Sequence, residues 1–313
     1  MLAILDRIKA DGRLRTANVL LSELKQMFRF ALAREIVERN PLDVVTKRDA
    51  GGIDATRDRV LSVDEIKRLA ATLPQSRISV RSVCAIWLVL ATGCRIGELM
   101  GATWATDSKP ADTLATTAEA SGVKLGFVDI EGKSWHLPDT KNGRSHSIHL
   151  SAFALLQFKR LAELGEVDDD SEPIPWVFPN TAAAGPVCVK SFGKQLADRQ
   201  REPSERMSGR SKETASLTLP GGKWTAHDLR RTAATMMAEL GISGDVIDEC
   251  LNHVIESRVR RVYIRDRREA DQARAFDALG IRLQAIAAGR DVGSNIIDLR
   301  TPDTSARHTG AAA

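Results

Sequence analysis

Tyrosine is almost missing from this chain: Tyr263 is the one tyrosine among 313 residues. Any chemistry of a phenol here has one possible residue. Cysteine is sparse too. Cys84, Cys94, Cys188 and Cys250 include no C-x-x-C pair, which argues against a structural zinc site and reads as reduced packing residues. The six histidines form no H-E-x-x-H or H-x-H motif, although His146 and His149 are near neighbours. Long apolar runs are absent as well. The longest, Val83 to Ala91, is about half the length of a membrane span and reads as a buried helix. No cationic stretch followed by an apolar one opens the chain, so no signal peptide is expected. These absences predict a soluble, cytoplasmic protein with no membrane partner. The net charge of +4 permits a polyanionic partner without requiring one.

What is present is enough apolar residue, 43%, for a sizeable core, at a length that suggests about two domains. The fold class expected is mainly α with a small antiparallel β-sheet (α+β). The chain opens as a short helix, a turn at Asp11-Gly12, and a long helix with Thr16 as N-cap. That helix carries an apolar stripe through Leu20, Leu24, Phe28 and Leu32 and stops at Asn40-Pro41. Residues 46–58 have linker composition. Ser62 and Glu65 have capping-box spacing ahead of a helix. A helix through Trp87 ends near Gly93, and "CRIGELMGATW" opens another. Ala105 to Val123 reads as an inserted loop. "GFVDI", "SWHLPD" and "SHSIHLS" read as strands, the last two joined by a type I′ turn at Asn142-Gly143. Ala152 to Leu164 is helical and an acidic loop spans Glu166 to Glu172. After a polar loop from Gln200 to Gly222 the chain is helical, and Ala270 to Ala288 repeats Phe276, Leu279, Leu283 and Ile286. A flexible tail is expected over 291–313.

Several residues have chemical potential, each with a bland counterpart. His227 and Arg230 stand three apart and share a helix face, so imidazole and guanidinium can point at one phosphate; a surface pair looks the same. Arg95 falls in the first turn of a helix after Gly93, with Glu98 placed to orient it. This suits an anion, but an ordinary salt bridge also fits. Lys141 lies in the Asn-Gly hairpin, where lysines are usually solubilising. His253 follows Leu251-Asn252 and is equally a cap or a core hydrogen-bonder. Six arginines lie between Arg258 and Arg268. They supply a field that would stabilise a Tyr263 phenolate, whose pKa is otherwise near ~10.

In chain order these make R-x-x-E after a Thr-Gly turn, a hairpin lysine, H-x-x-R, a histidine, and a tyrosine ten residues on. The strings "LATGCRIGELMGATW", "LPDTKNGRSHSIHLS", "WTAHDLRRTAATMMAELGI" and "LNHVIESRVRRVYIR" together resemble the tyrosine recombinase, or phage integrase, family, of the prophage and genomic-island type. The resemblance runs from about Arg59 to about Ala288. "TANVLLSELKQMFRFALAREIVERNP" resembles the end of that family's helical core-binding domain, so the chain reads as N-terminally truncated. The implied organisation is a partial core-binding domain over 1–45, a linker over 46–58, and a catalytic integrase domain over 59–290. Asn252, where the family often has glycine, and the Ala105 to Val123 loop depart from the pattern.

The resemblance implies a site-specific DNA recombinase that cuts and rejoins DNA through a 3′-phosphotyrosyl bond, in integration or excision of a mobile element. Tyr263 would be the nucleophile. Arg95 and Arg230 would clamp the phosphate, Lys141 would protonate the leaving 5′-oxygen, and His227 would assist by proton transfer or hydrogen bonding. His253 would hold the phosphate from the other side, and Glu98 would support the site from behind. No cofactor is implied, because a covalent phosphotyrosine stores the bond energy without metal or ATP. The implied partners are double-stranded DNA attachment sites, further copies of the chain in a tetramer on DNA, and an accessory DNA-bending or excision factor. The helix after Tyr263 would dock on a neighbouring copy or pack on its own domain. Two other readings stay open: a truncated remnant that binds DNA without recombining it, and a type IB topoisomerase-like strand cleaver.

Overall fold

Two helices begin the chain, α1 (Leu2–Ala10) and α2 (Leu14–Ala33). The computed structural model describes residues 2–53, 57–104, 111–165, 172–253 and 268–290. Tyr263, the arginines from Arg258 to Arg267, most of the expected acidic loop and the expected tail at 291–313 lie outside them. The chain divides into two units, Met1–Asp58 and Arg59–Ala313.

In the first unit, Leu5, Ala17 and Leu21 share a small core with Leu42, Val45 and Ala50. α2 therefore stops at Ala33, seven residues before the expected Asn40-Pro41 stop, with Glu35 in the left-handed region at φ 56°. A helix continued past Ala33 would carry Leu42 and Val45 away from the face they cover. Thr16 sits inside α2; the N-cap is Arg13, which makes no side-chain capping bond. The expected linker is packed as far as Gly52. Asn18 Oδ1 accepts from Gly51 N and its Nδ2 donates to Gly52 O, both at 2.9 Å.

The second unit is mainly helical. α3 (Val63–Thr72) begins with the Ser62–Glu65 capping box. Glu65 also pairs with Arg59 and accepts from Gly221 N at 2.7 Å. The Arg59 guanidinium foremost holds its carboxyl down at about 2. α4 (Val80–Thr92) is the expected all-round apolar helix, buried from Cys84 to Thr92 and ended by Gly93 at φ 59°. It packs against α7 (Ala152–Ala162) and α9 (Ala226–Glu239). α8 (Val189–Asp198), α10 (Gly244–Cys250) and α11 (Glu269–Ala287) belong to the same unit. Phe276, Leu279, Leu283 and Ile286 of α11 are buried in the core of their own unit. No helix among the described residues is long and apolar enough to cross a membrane.

The three expected strands are β2 (Gly126–Asp129), β3 (Ser134–Leu137) and β4 (His146–His149), paired antiparallel. The structure adds β1 (Ala102–Trp104), parallel to β2, so the sheet is mixed. A parallel pair needs a crossover, and α6 (Ala111–Ala120) supplies part of it. The expectation of an inserted loop from Ala105 is thus corrected to a connection containing a helix. Alanine favours helix, Leu114 and Ala118 give it a buried face, and Thr116 and Thr117 turn their hydroxyls onto carbonyls four residues back. The β3–β4 turn also differs from type I′. Gly143 N donates to Thr140 O at 2.9 Å, and of Asn142 and Gly143 only Gly143 has positive φ. Leu137 pairs with His146, so the connection spans 138–145.

Candidate active site

The site is assembled where α4, α9 and α10 end or begin. Gly93 reverses the chain after α4, and two residues later Arg95 is the N-cap of α5 (Ile96–Met100). Its backbone N donates to Glu98 Oε2 at 2.8 Å, and its Nη1 donates to Glu98 Oε1 at 2.9 Å. One buried carboxylate thus holds both the backbone and the side chain of a half-exposed arginine. Glu98 belongs behind the site, touching Arg95 and leaving the outward guanidinium edge available.

Arg230 comes from α9, whose start is set by the Thr225–Asp228 capping box. It is buried, and its guanidinium divides between two carbonyls: Nη1 donates to Gly93 O and Nη2 to Leu251 O, each at 2.6 Å. A lysine has no such fork. Burial, and then the neighbouring Arg95 charge, push Arg230 down to about 10, which leaves it cationic at neutral pH. His227 stands one turn before Arg230 and is accessible at the surface. Desolvation and the Arg231, Arg230 and Arg95 charges lower its pKa, against the opposing pull of Asp228. The sequence pairs Arg95–Glu98 and His227–Arg230 thus become one cluster: two guanidiniums and a neutral imidazole within mutual electrostatic reach. Cys94, next to Arg95, is a packing residue whose thiol is pushed up to about 12 by burial.

The third arm is the β3–β4 loop with Lys141. Lys141 itself is exposed, but its neighbours are tied to the end of α10. Asn142 Nδ2 donates to Asn252 O at 2.7 Å, and Asn252 Nδ2 donates to Thr140 Oγ1 at 2.8 Å. His146 Nε2 lies 3.1 Å from Cys250 O. The carbonyls of Cys250, Leu251 and Asn252 therefore receive, in order, a side chain from β4, the Arg230 guanidinium and the Lys141-bearing loop. His253 follows directly. Its Nδ1 is 2.9 Å from Asp248 Oδ1 and its backbone N donates to Asp248 O at 2.8 Å, so the ring is held at the surface by its own helix.

The structure brings together Arg95, Glu98, His227 and Arg230, and anchors the loop of Lys141 beside His253; Tyr263 lies outside the described residues. Reading the sequence missed the Leu251 and Gly93 carbonyls, Thr140 and Asn142, which act through bonds made over long stretches of chain. Asp248 was missed too, although it stands only five residues before His253. Asn252 had a signal: asparagine tolerates the left-handed region, and Asn252 adopts it at φ 50°.

The model of the phage integrase family matches residues 111–270, just over half the chain. The chain is 25% identical to tyrosine recombinase XerA of Pyrococcus furiosus over 80% of its own length and 71% of that protein. It is 27% identical to tyrosine recombinase XerD of Caulobacter vibrioides over 74% of its length and 65% of that protein. With prophage integrase IntA of Escherichia coli it shares 27% identity over 58% of its length and 41% of the relative. Among solved structures, a Tn1549 transposon integrase in complex with a circular intermediate DNA superposes with a TM-score of 0.57 at 17% identity, covering 87% of this chain and 82% of that one. A lambda integrase tetramer bound to a Holliday junction gives 0.54 at 17% identity, covering 83% and 62%. The two solved structures share the fold found here, and the family match over residues 111–270 establishes that the chain belongs to the phage integrase family of tyrosine recombinases.

Proposed function

We propose that the chain is a site-specific recombinase that cuts and rejoins double-stranded DNA through a 3′-phosphotyrosyl intermediate on Tyr263. The observation that carries this reading is the convergence of Arg95 and Arg230, one backed by Glu98 and the other by two carbonyls, beside a neutral His227. The Glu98 carboxylate offsets one of these two positive charges, and the other is left for an anion from outside the protein. A phosphodiester is the anion whose two non-bridging oxygens such a pair fits.

In this reading the Tyr263 oxygen bonds to phosphorus while the bond from phosphorus to the 5′-oxygen breaks. The phenol proton passes to His227, which desolvation and its cationic neighbours keep able to accept one. The Lys141 ammonium gives a proton to the departing 5′-oxygen. Arg95 and Arg230 carry the charge that grows on the non-bridging oxygens, and His253 meets the phosphate from the α10 side. Rejoining is the reverse, with the 5′-hydroxyl of another strand as attacker. The expected assembly is a tetramer on two duplexes, supported by the arrangement named for lambda integrase. Residues 1–45 are read as part of a core-binding domain.

The test is a nicked suicide duplex carrying a candidate attachment site, incubated with the protein and then denatured. A covalent protein–DNA adduct is expected from the parent and none from Tyr263→Phe. DNA binding without an adduct on any candidate site would instead establish the remnant reading.

A further inference from the structure

Asn252 occupies a position at which backbone geometry and side-chain chemistry make separate demands. Its φ of 50° is the conformation glycine takes without cost. A glycine here would close the end of α10 equally well but would carry no amide. The amide present is used. Thr140 is buried, and its Oγ1 donates to Arg144 O at 2.9 Å. With its one proton committed across the turn, the hydroxyl receives Asn252 Nδ2 at 2.8 Å as an acceptor. Asn142 Nδ2 completes the pair by donating to Asn252 O at 2.7 Å. Lys141 lies between Thr140 and Asn142, so both of its chain neighbours are bonded to one residue. That residue stands between Leu251, whose carbonyl receives Arg230, and His253.

We propose that Asn252 is a positioning residue, clamping the Lys141 loop to the end of α10 so that the lysine is held in register with Arg230 and His253. The inference rests on the recombinase reading for the lysine's role, but the clamp itself is a property of the DNA-free protein. In an eight-residue connection between β3 and β4, an ammonium on a four-carbon stem has many positions available. Fixing the two flanking residues removes most of that freedom before substrate arrives, which is preorganisation of a proton donor.

Three substitutions remove the amide-to-hydroxyl bond by different routes. Asn252→Gly keeps the positive φ. Asn252→Asp keeps the shape but loses the donor. Thr140→Val removes the acceptor without touching α10. Hydrogen–deuterium exchange of the full-length, DNA-free protein is expected to show the 141–145 amides exchanging about ten-fold faster in all three, with α4 and α9 unchanged. Unchanged exchange in the loop overturns the clamp.

Its role toward Lys141 is read from adduct formation on nicked duplexes tiled across the DNA flanking the coding sequence. At the phosphate the parent attacks, the duplex is made with the bridging 5′-oxygen and again with sulfur in its place. A thiolate leaves without a proton, so it does not need the lysine. Asn252→Gly and Thr140→Val are expected to slow the oxygen substrate about ten-fold or more and to leave the sulfur substrate nearly at the parent rate. Equal slowing of both overturns the positioning role. If the parent forms no adduct on any duplex, the recombinase reading and the lysine's role fail together, while the exchange result still decides whether the clamp exists.

Discussion

A guanidinium taken out of water needs acceptors in its own plane, and Arg230 has two, supplied by the ends of α4 and α10. Its guanidinium is therefore held by main-chain groups, and the carboxylate nearby, Glu98, pairs directly with Arg95 instead. Arg230→Lys puts a single point charge where a fork is required, leaving one carbonyl unpaired and the ammonium free to turn. Adduct formation is expected to fall by about 100-fold, with the far-ultraviolet circular dichroism spectrum unchanged. His227 gives a pH prediction of definite sign. Its proton is disfavoured by desolvation first and then by Arg231, Arg230 and Arg95. Its titration midpoint in the DNA-free protein, followed by NMR, should lie below the ordinary 6.5. As pH falls below that ordinary value, the unfolded chain takes the proton before the folded one does, so this residue costs stability on the acid side. Arg231→Ala should move the midpoint upward; an unmoved midpoint would mean that Arg231 does not act on the imidazole.

Elements bring these residues together through close backbone approaches that tolerate no side chain. A Cβ on Gly101 would collide with the Lys124 carbonyl, at the join of α5 to β1 and beside the Gly126–Gly101 backbone bond that starts the β1–β2 pair. Gly101→Ala is expected to cost about 2–3 kcal/mol by chemical denaturation, because the obstacle is main chain and cannot swing aside. The same join explains what was and was not legible in the sequence. α4, the Ser62–Glu65 start, the Gly93 stop, β2 to β4 and α11 each follow from a local pattern of apolar spacing, caps or turn residues. β1 is three residues long and exists because Gly126 to Val128 and Pro175 to Val177 flank it; nothing within Ala102–Trp104 announces either. α2 was overextended for the same reason, since its end is decided by Leu42 and Val45 folding back. Of the site, the arginine and histidine pairs were legible because each lies within one helical turn. The carbonyls that hold Arg230, and the bonds from Asn252 to the Lys141 loop, join residues far apart in sequence.

At the scale of the whole chain, the two hydrophobic clusters have no residue in common, so the second unit should fold without the first. The first unit holds eleven Lys and Arg against nine Asp and Glu, a net +2 that is half of the whole chain's +4. The residues proposed for phosphate chemistry all come from the second. A fragment beginning at Arg59 is therefore expected to give a cooperative thermal transition and to keep adduct formation at saturating DNA. It should bind DNA less tightly than the full chain, and the slope of log affinity against log salt should fall by about one for each phosphate that the fragment no longer neutralises. The choice of first residue matters, because Arg59 is the ionic partner that holds the Glu65 carboxyl down. Starting at Leu61 instead leaves a buried carboxylate with backbone donors alone, at a cost of about 3 kcal/mol. The difference between the two fragments should narrow as pH falls from about 4.5 toward 2, the span over which Glu65 becomes protonated first in the unfolded and then in the folded chain. If the Arg59 fragment does not fold, or folds but forms no adduct at any DNA concentration, the first unit is required for the fold or the chemistry and not only for grip on DNA.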